Sequence, residues 1–207
     1  TNADDERLEK FSLIAAKYNT SLIALTLNSK TGIPKEAEER LNLAFKIIAT
    51  CESKGIGHNK IIFDPLVLPI CIDQAQAKVS LDTIGMLKES FDPPILTTIG
   101  LSNISNGTPK HLRSIINIVY MTMAMGAGLD SAIVDIFDNE LLRVHKMLVN
   151  NKPQTSYDDV YLNIYNTIQN YGEIDDIAYD SKDEEQEKII KTAKILMNKE
   201  IYSACYI

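Results

Sequence analysis

Four short apolar runs, Ser21–Leu27, Lys60–Phe63, Ile95–Leu101 and Ser131–Val134, recur every 35 to 39 residues, and a helix-like segment follows each. This is the rhythm of consecutive βα units, because parallel strands need a crossover and cannot be joined by a tight hairpin. The first run is nearly continuous in apolar residues, as a parallel strand covered on both faces requires. In such folds function gathers at the C-terminal ends of the strands. The polar residues to read there are Asn28, Asp64 in Phe63-Asp-Pro65, Ser102 and Asn103 in Gly100-Leu-Ser-Asn103, and Asp135 after Ala132-Ile-Val134.

The intervening segments carry helical periodicity. Leu8, Phe11, Leu13, Ile14 and Ala15 give a first helix its apolar face, behind acidic Asp4, Asp5 and Glu6. Residues 36–52 place Ala37, Leu41, Ala44, Phe45, Ile48 and Ala49 at helical spacing and stop near Gly55 and Gly57. Ser80–Ser90 reads as a third helix. Asn106-Gly-Thr-Pro109 supplies a turn, with Thr108 as N-cap and Pro109 at the first position of a helix that runs through Met125. Its residues Ile115, Ile116, Val119, Met123 and Ala124 face the core. Asn139–Val149 and Ile189–Met197 are further helices, the latter leading into an apolar tail, Ile201–Ile207.

Residues 152–183 break this pattern. Tyr157, Tyr161, Tyr165, Tyr171 and Tyr179 are interleaved with Asn and Asp, and Asp180–Glu187 is an acidic run that reads as a solvated helix face or loop.

With 207 residues and 45% hydrophobic content, the chain can bury the core of one globular domain. A net charge of −7 without a basic stripe argues against a nucleic-acid partner. Cys51, Cys71 and Cys205 lack paired spacing and read as thiols of a reducing compartment. No leader opens the sequence and no apolar run approaches the roughly 20 residues of a membrane helix, so a soluble cytoplasmic protein is expected. His58, His111 and His145 form no ligand motif, so no metal site is expected. Neither GxGxxG, GxxxxGK[ST] nor GxSxG occurs, and Gly126-Ala-Gly128 leads into a strand, so phosphate-loop and serine-nucleophile chemistry are not indicated.

Several stretches, in order along the chain, carry a resemblance. Thr26–Pro34, Phe63-Asp-Pro-Leu-Val-Leu-Pro69, Gly100-Leu-Ser-Asn-Ile-Ser105 and Met123–Asp135 together resemble the 5-methyltetrahydrofolate:corrinoid/iron–sulfur protein methyltransferase family. The segment Ala193–Tyr202 is similar to that family's C-terminal helix. The resemblance implies a pterin-binding (β/α)8 TIM barrel and identifies the four strands as the barrel's fifth to eighth, so this chain, one partial domain, corresponds to the second half. Four strands alone would leave two open edges, and the resemblance implies either a fragment or a second polypeptide that completes the barrel. Residues 152–183 stand out as an insertion: a lid, a partner interface or a surface excursion.

What the resemblance implies about chemistry is specific. The N5 methyl group of methyltetrahydrofolate, the substrate, passes to the Co(I) corrinoid (cobalamin) carried by a partner, the corrinoid/iron–sulfur protein; the methyltransferase itself is a homodimer. The amine that leaves needs a proton or hydrogen bond by the transition state. Asn103 matches the asparagine that reaches N5 and supports developing positive charge through its amide oxygen. Asp64 matches a carboxylate set against the pterin ring, where adjacent N–H donors suit a carboxylate pair of oxygens. An aspartate capping the turn before Pro65 is the alternative. Ser102 matches a backbone or hydroxyl contact, and Arg113 an arginine near the folate, although the loop before it is longer here. Asn106 either contacts substrate or turns the chain, and Asp135 either pairs with a neighbour or caps the next helix.

Two other readings share the fold. A methyltransferase of methylamine or betaine demethylation would run the reaction towards tetrahydrofolate, and a non-catalytic half-barrel would bind folate without turning it over. Dihydropteroate synthase fits less well, because its Ser-x-Arg pattern is missing after Asp135.

Overall fold

All four strands form, each close to the apolar run that announced it. The computed structural model describes residues 1–203. Strand β1 spans Leu22–Leu25, β2 Ile61–Asp64, β3 Leu96–Gly100 and β4 Ser131–Ile133, in one sheet of order β1-β2-β3-β4. Leu22 lies opposite Ile61 and Ile62 opposite Leu96 in parallel ladders. Asp64 is the last residue of β2, opposite Leu25, and Pro65, which has no N–H to give, ends the ladder.

Seven helices are described: α1 (Asp5–Tyr18), α2 (Ala37–Ser53), α3 (Ala75–Glu89), α4 (Arg113–Gly126), α5 (Asn139–Asn150), α6 (Asp158–Gln169) and α7 (Glu184–Leu196). Two sequence expectations need correction. In α1 the buried stripe is Leu8, Ser12 and Ala15, while Phe11, Leu13 and Ile14 are exposed. Five apolar residues within eight positions span more of the helix circumference than one face can bury. Thr108 does not cap α4. Its hydroxyl donates to Ser105 O at 2.7 Å, and a 3₁₀ turn, Lys110–Leu112, intervenes before α4 begins at Arg113. Residues 204–207, the end of the expected apolar tail, lie outside the described residues.

The chain divides into two compact units. The first comprises residues 1–66, 82–99 and 129–132. Its core joins Leu22, Ala24, Ile61 and Phe63 of the sheet to Leu8 of α1 and to Ala44, Ile47, Ile48 and Cys51 of α2. Thr1–Ala3 runs alongside β1: the Thr1 ammonium donates to Ile23 O at 2.7 Å, Leu25 N to Thr1 O and Ala3 N to Leu27 O, both at 2.9 Å. Asp130, before β4, accepts from Thr97 N at 2.7 Å and from Thr97 Oγ1 at 3.0 Å, and is also paired with Lys88.

The second unit comprises residues 67–81, 100–128 and the chain from Ile133 onward. Helix α4 is its axis: every residue from Ile116 to Ala124 is buried, where each large aliphatic side chain contributes roughly 1.5–3 kcal/mol. Helices α5, α6 and α7 pack around it. The buried Tyr120 hydroxyl is satisfied by Ser80. Residues 152–183 are thus more than a surface excursion. Helix α6 within them buries Asp158, Val160, Tyr161 and Ile164, and its backbone approaches α4 so closely that a Cβ on Gly126 would stand 2.6 Å from the Tyr165 carbonyl oxygen. The acidic run after it opens α7, with Asp183 accepting from the N–H groups of Glu185 and Gln186.

Candidate functional site

In the second unit the chain leaves β3 through a 3₁₀ turn, Leu101–Asn103. Leu101 and Ile104 are fully buried, so they anchor the turn and leave Ser102 and Asn103 between them exposed. Ile70 N donates to Ile104 O and Cys71 Sγ–H to Asn106 O, both at 3.1 Å, which fastens this loop to residues 70–71. The Asn103 amide folds back on the backbone: a Cβ on Gly100 would lie 3.0 Å from Asn103 Nδ2. Glycine at 100 therefore sets where that carboxamide can rest.

Ser102, Asn103, Asn106, Arg113, Asn117 and Asp135 line a cavity of about 490 Å³ in this unit. Ser102, Asn103, Asn106, Arg113 and Asp135, all singled out from sequence, are thereby gathered, while Asn28 and Asp64 are not among the lining residues. Arg113 Nε donates to Thr108 O at 3.1 Å, which holds the root of an otherwise exposed guanidinium. Asp135 caps no helix. Its Oδ1 accepts from Phe137 N at 2.9 Å, and Asp138 takes the cap of α5 by accepting from Leu141 N at 3.0 Å. Asn106 turns the chain through its backbone and also borders the cavity.

Asn117 was not anticipated. It is 7% exposed, and its Oδ1 is buried without a hydrogen-bond partner. An unmet buried acceptor costs about 1–3 kcal/mol, so Asn117 Oδ1 would gain from any donor that reached it. The sequence signal was a single carboxamide inside the otherwise apolar stretch Ile115–Val119.

Asp64 belongs to the first unit, at the C-terminal end of β2. It is half-buried, and its Oδ1 accepts from Leu66 N at 2.9 Å, so one oxygen does hold the turn around Pro65. Burial pushes its pKa above the usual carboxylate value, while the Leu66 hydrogen bond and the positive charge of Arg40 pull it back. Arg40 escaped the sequence reading although it falls on the buried stripe of α2, three residues after Ala37 and four before Ala44. Asn28 holds its own loop, accepting from Lys30 N at 2.9 Å and pairing with Gly32.

These groups are suited to binding and hydrogen-bond chemistry. A half-buried carboxylate can accept from paired ring N–H groups, and the exposed carboxamide of Asn103 both donates and accepts. Among the described residues, no cluster of three or more His, Cys, Asp or Glu side chains is placed to hold a metal ion. No described helix is long and apolar enough to cross a membrane.

Residues 3–135 match the family model described as pterin binding enzyme, which takes in every strand and stops before α5. A methionine synthase of Mycobacterium tuberculosis is 30% identical over 134 residues, 63% of this chain and 11% of the relative. That of Mycobacterium leprae is 31% identical over the same length and shares. A methylcorrinoid:tetrahydrofolate methyltransferase of Eubacterium limosum is 30% identical over 121 residues, 58% of this chain and 43% of the relative. The chain thus spans under half the length of each of these relatives.

Proposed function

This chain belongs to the pterin binding enzyme family, and on that footing we propose that it serves methyl transfer between N5 of a tetrahydrofolate and the cobalt of a corrinoid carried by a partner protein. The observation that carries this reading is the cavity beside Asn103, where an exposed carboxamide, Arg113 and the orphaned Oδ1 of Asn117 stand together. A folate offers ring and amide N–H donors for the carboxamides and carboxylates for the guanidinium.

In the forward direction the nucleophilic cobalt donates an electron pair to the methyl carbon, and the carbon–N5 bond breaks with its pair left on nitrogen. That nitrogen must leave as a neutral amine, so a proton or hydrogen bond has to reach it by the transition state. Asn103 accepts from N5–H through its amide oxygen and steadies the positive charge; it supplies no proton itself. In the first unit, taken by itself, Asp64 is assigned to accept from an aminopyrimidine N–H pair. Ser102 and Arg113 contact the remaining folate, and Asp135 keeps the loop after β4 in shape.

Methyl delivery to a corrinoid/iron–sulfur protein is one assignment of direction and partner. The opposite direction is favoured by the name of the Eubacterium relative, a methylcorrinoid:tetrahydrofolate methyltransferase. We further assign the four strands to the fifth to eighth of a (β/α)8 barrel, which leaves catalysis dependent on whatever completes the sheet. Support comes from the share of the Eubacterium relative that the chain spans, 43%.

The test is calorimetric titration of the protein with methyltetrahydrofolate, followed by addition of Co(I) corrinoid and measurement of its visible absorption. Saturable binding and loss of the Co(I) band are expected. No binding would remove the pterin role, and binding without transfer would make the chain a folate-holding subunit.

A further inference from the structure

Arg40 is the largest fully buried side chain in the described residues, a cation with 0% exposure in the first turn of α2. Burying a guanidinium is unfavourable unless its N–H groups are met, and an aliphatic residue would fill such a place more cheaply. Its hydrogen bonds show what it is for. Nε donates to Pro34 O at 3.0 Å, in the loop after β1, while Nη1 donates to Pro65 O at 2.6 Å and to Leu66 O at 3.1 Å, in the loop after β2. One planar fork thus fastens two strand-end loops to a helix.

The second loop needs fastening. Leu66 has φ of 68°, in the left-handed region that a leucine rarely enters. In that conformation its N–H points back to Asp64 Oδ1 at 2.9 Å. The orientation of the carboxylate therefore depends on a backbone bend that only persists while its surroundings hold it, and the carbonyls on either side of that bend's peptide are the ones Arg40 grips. The charge of Arg40 also favours the ionised form of the carboxylate against the effect of burial.

We propose that Arg40 is a positioning residue for folate: by clamping Pro65 and Leu66 it presets the Asp64 carboxylate in the pose that receives the pterin ring. The inference rests on the folate reading for its ligand, but the clamp itself can be tested without any ligand. Lysine at 40 keeps the charge and loses the fork, and methionine loses both.

The experiment measures methyltetrahydrofolate affinity by calorimetry for the wild-type protein, Arg40→Met, Arg40→Lys, Asp64→Asn and the double variant Arg40→Met/Asp64→Asn. Hydrogen exchange at the Leu66 amide and circular dichroism are followed in each. Arg40→Met should weaken binding by about 10-fold or more, as misplacement of a binding group does, with Arg40→Lys in between. In the Asp64→Asn background the same change should add less than about twofold, because its effect runs through the carboxylate. Leu66 exchange should accelerate in both Arg40 variants. Additive losses, or a folded Arg40 variant with wild-type affinity and wild-type Leu66 exchange, would overturn the proposal. Should Arg40→Met not fold, Arg40→Lys carries the comparison. If the wild-type protein binds no folate, the functional reading falls while Leu66 exchange still decides the clamp.

Discussion

Arg143 and Asp158 face each other fork to fork: Nη2 donates to Oδ1 at 2.7 Å and Nη1 to Oδ2 at 3.0 Å, with the Asp158 side chain wholly buried. The same guanidinium holds Glu140 through Nε at 2.9 Å and Nη2 at 2.8 Å, so one arginine ties the start of α6 to α5. Burial alone would raise the Asp158 pKa, but the Arg143 hydrogen bonds and the amides of Gln154 and Thr155 outweigh it and bring it down to about 2.

A carboxylate depressed in the folded state stabilises above its unfolded pKa and loses that stabilisation as pH falls through the folded value. The contribution of Asp158, on the order of 2 kcal/mol, should be complete above about pH 4 and fade between pH 4 and 2. Urea denaturation across this range should show the wild-type advantage over Asp158→Asn shrinking as acid is added. A constant difference down to pH 2 would contradict the assignment.

The pH dependence of folate affinity should have the opposite displacement. Burial raises the pKa of Asp64, so its acceptor form is lost at a pH above the ordinary carboxylate value. Calorimetry between pH 4 and 7 should find methyltetrahydrofolate binding weakening on the acid side in the wild type. Asp64→Asn should bind weakly with that limb missing.

Asn103→Ala removes an exposed carboxamide, so folding should lose about 1 kcal/mol or less. Methyl transfer, followed by single-turnover absorption, should slow by about 10- to 100-fold. Unchanged transfer would take Asn103 out of the mechanism.

Asn117 separates stability from function. Replacing it with leucine removes an unmet acceptor, so chemical denaturation should report equal or higher stability, by up to about 1 kcal/mol. Folate affinity should fall. Lower stability with unaltered affinity would mark Asn117 as a purely structural residue.

Gly126→Ala probes the approach of α4 to α6. A methyl group there meets the Tyr165 carbonyl at 2.6 Å and Ile168 Cβ at 3.0 Å. Overpacking of this kind destabilises by about 1–3 kcal/mol, measurable as a lower denaturation midpoint.

Strand existence was legible in the sequence because the four short apolar runs recur at the spacing of βα units and the second is bounded by Gly55, Gly57 and Pro65. Ser102 and Asn103 were legible as site candidates because they are the polar residues that end the third apolar run, where strand-end chemistry is expected. Asn117 and Arg40 were not, since each sits within a helical stripe whose pattern says only "inside". The packing of α6 was hidden for a related reason: its buried Asp158 is a residue type usually met at surfaces, and its burial depends on Arg143, fifteen residues earlier.

Cys71 gives the Asn103 loop an intrinsic chemical clock. Its exposed thiol is bonded to Asn106 O and sits where a side chain on Gly107 would collide at 2.8 Å, whereas Cys51 is buried with its pKa pushed up to about 11. Of these two thiols, an alkylating reagent should select Cys71, at a rate set by how often the sulfur lets go of the loop. A fluorophore fixed there would convert ligand capture beside Asn103 into an optical signal, free of any cobalt chromophore.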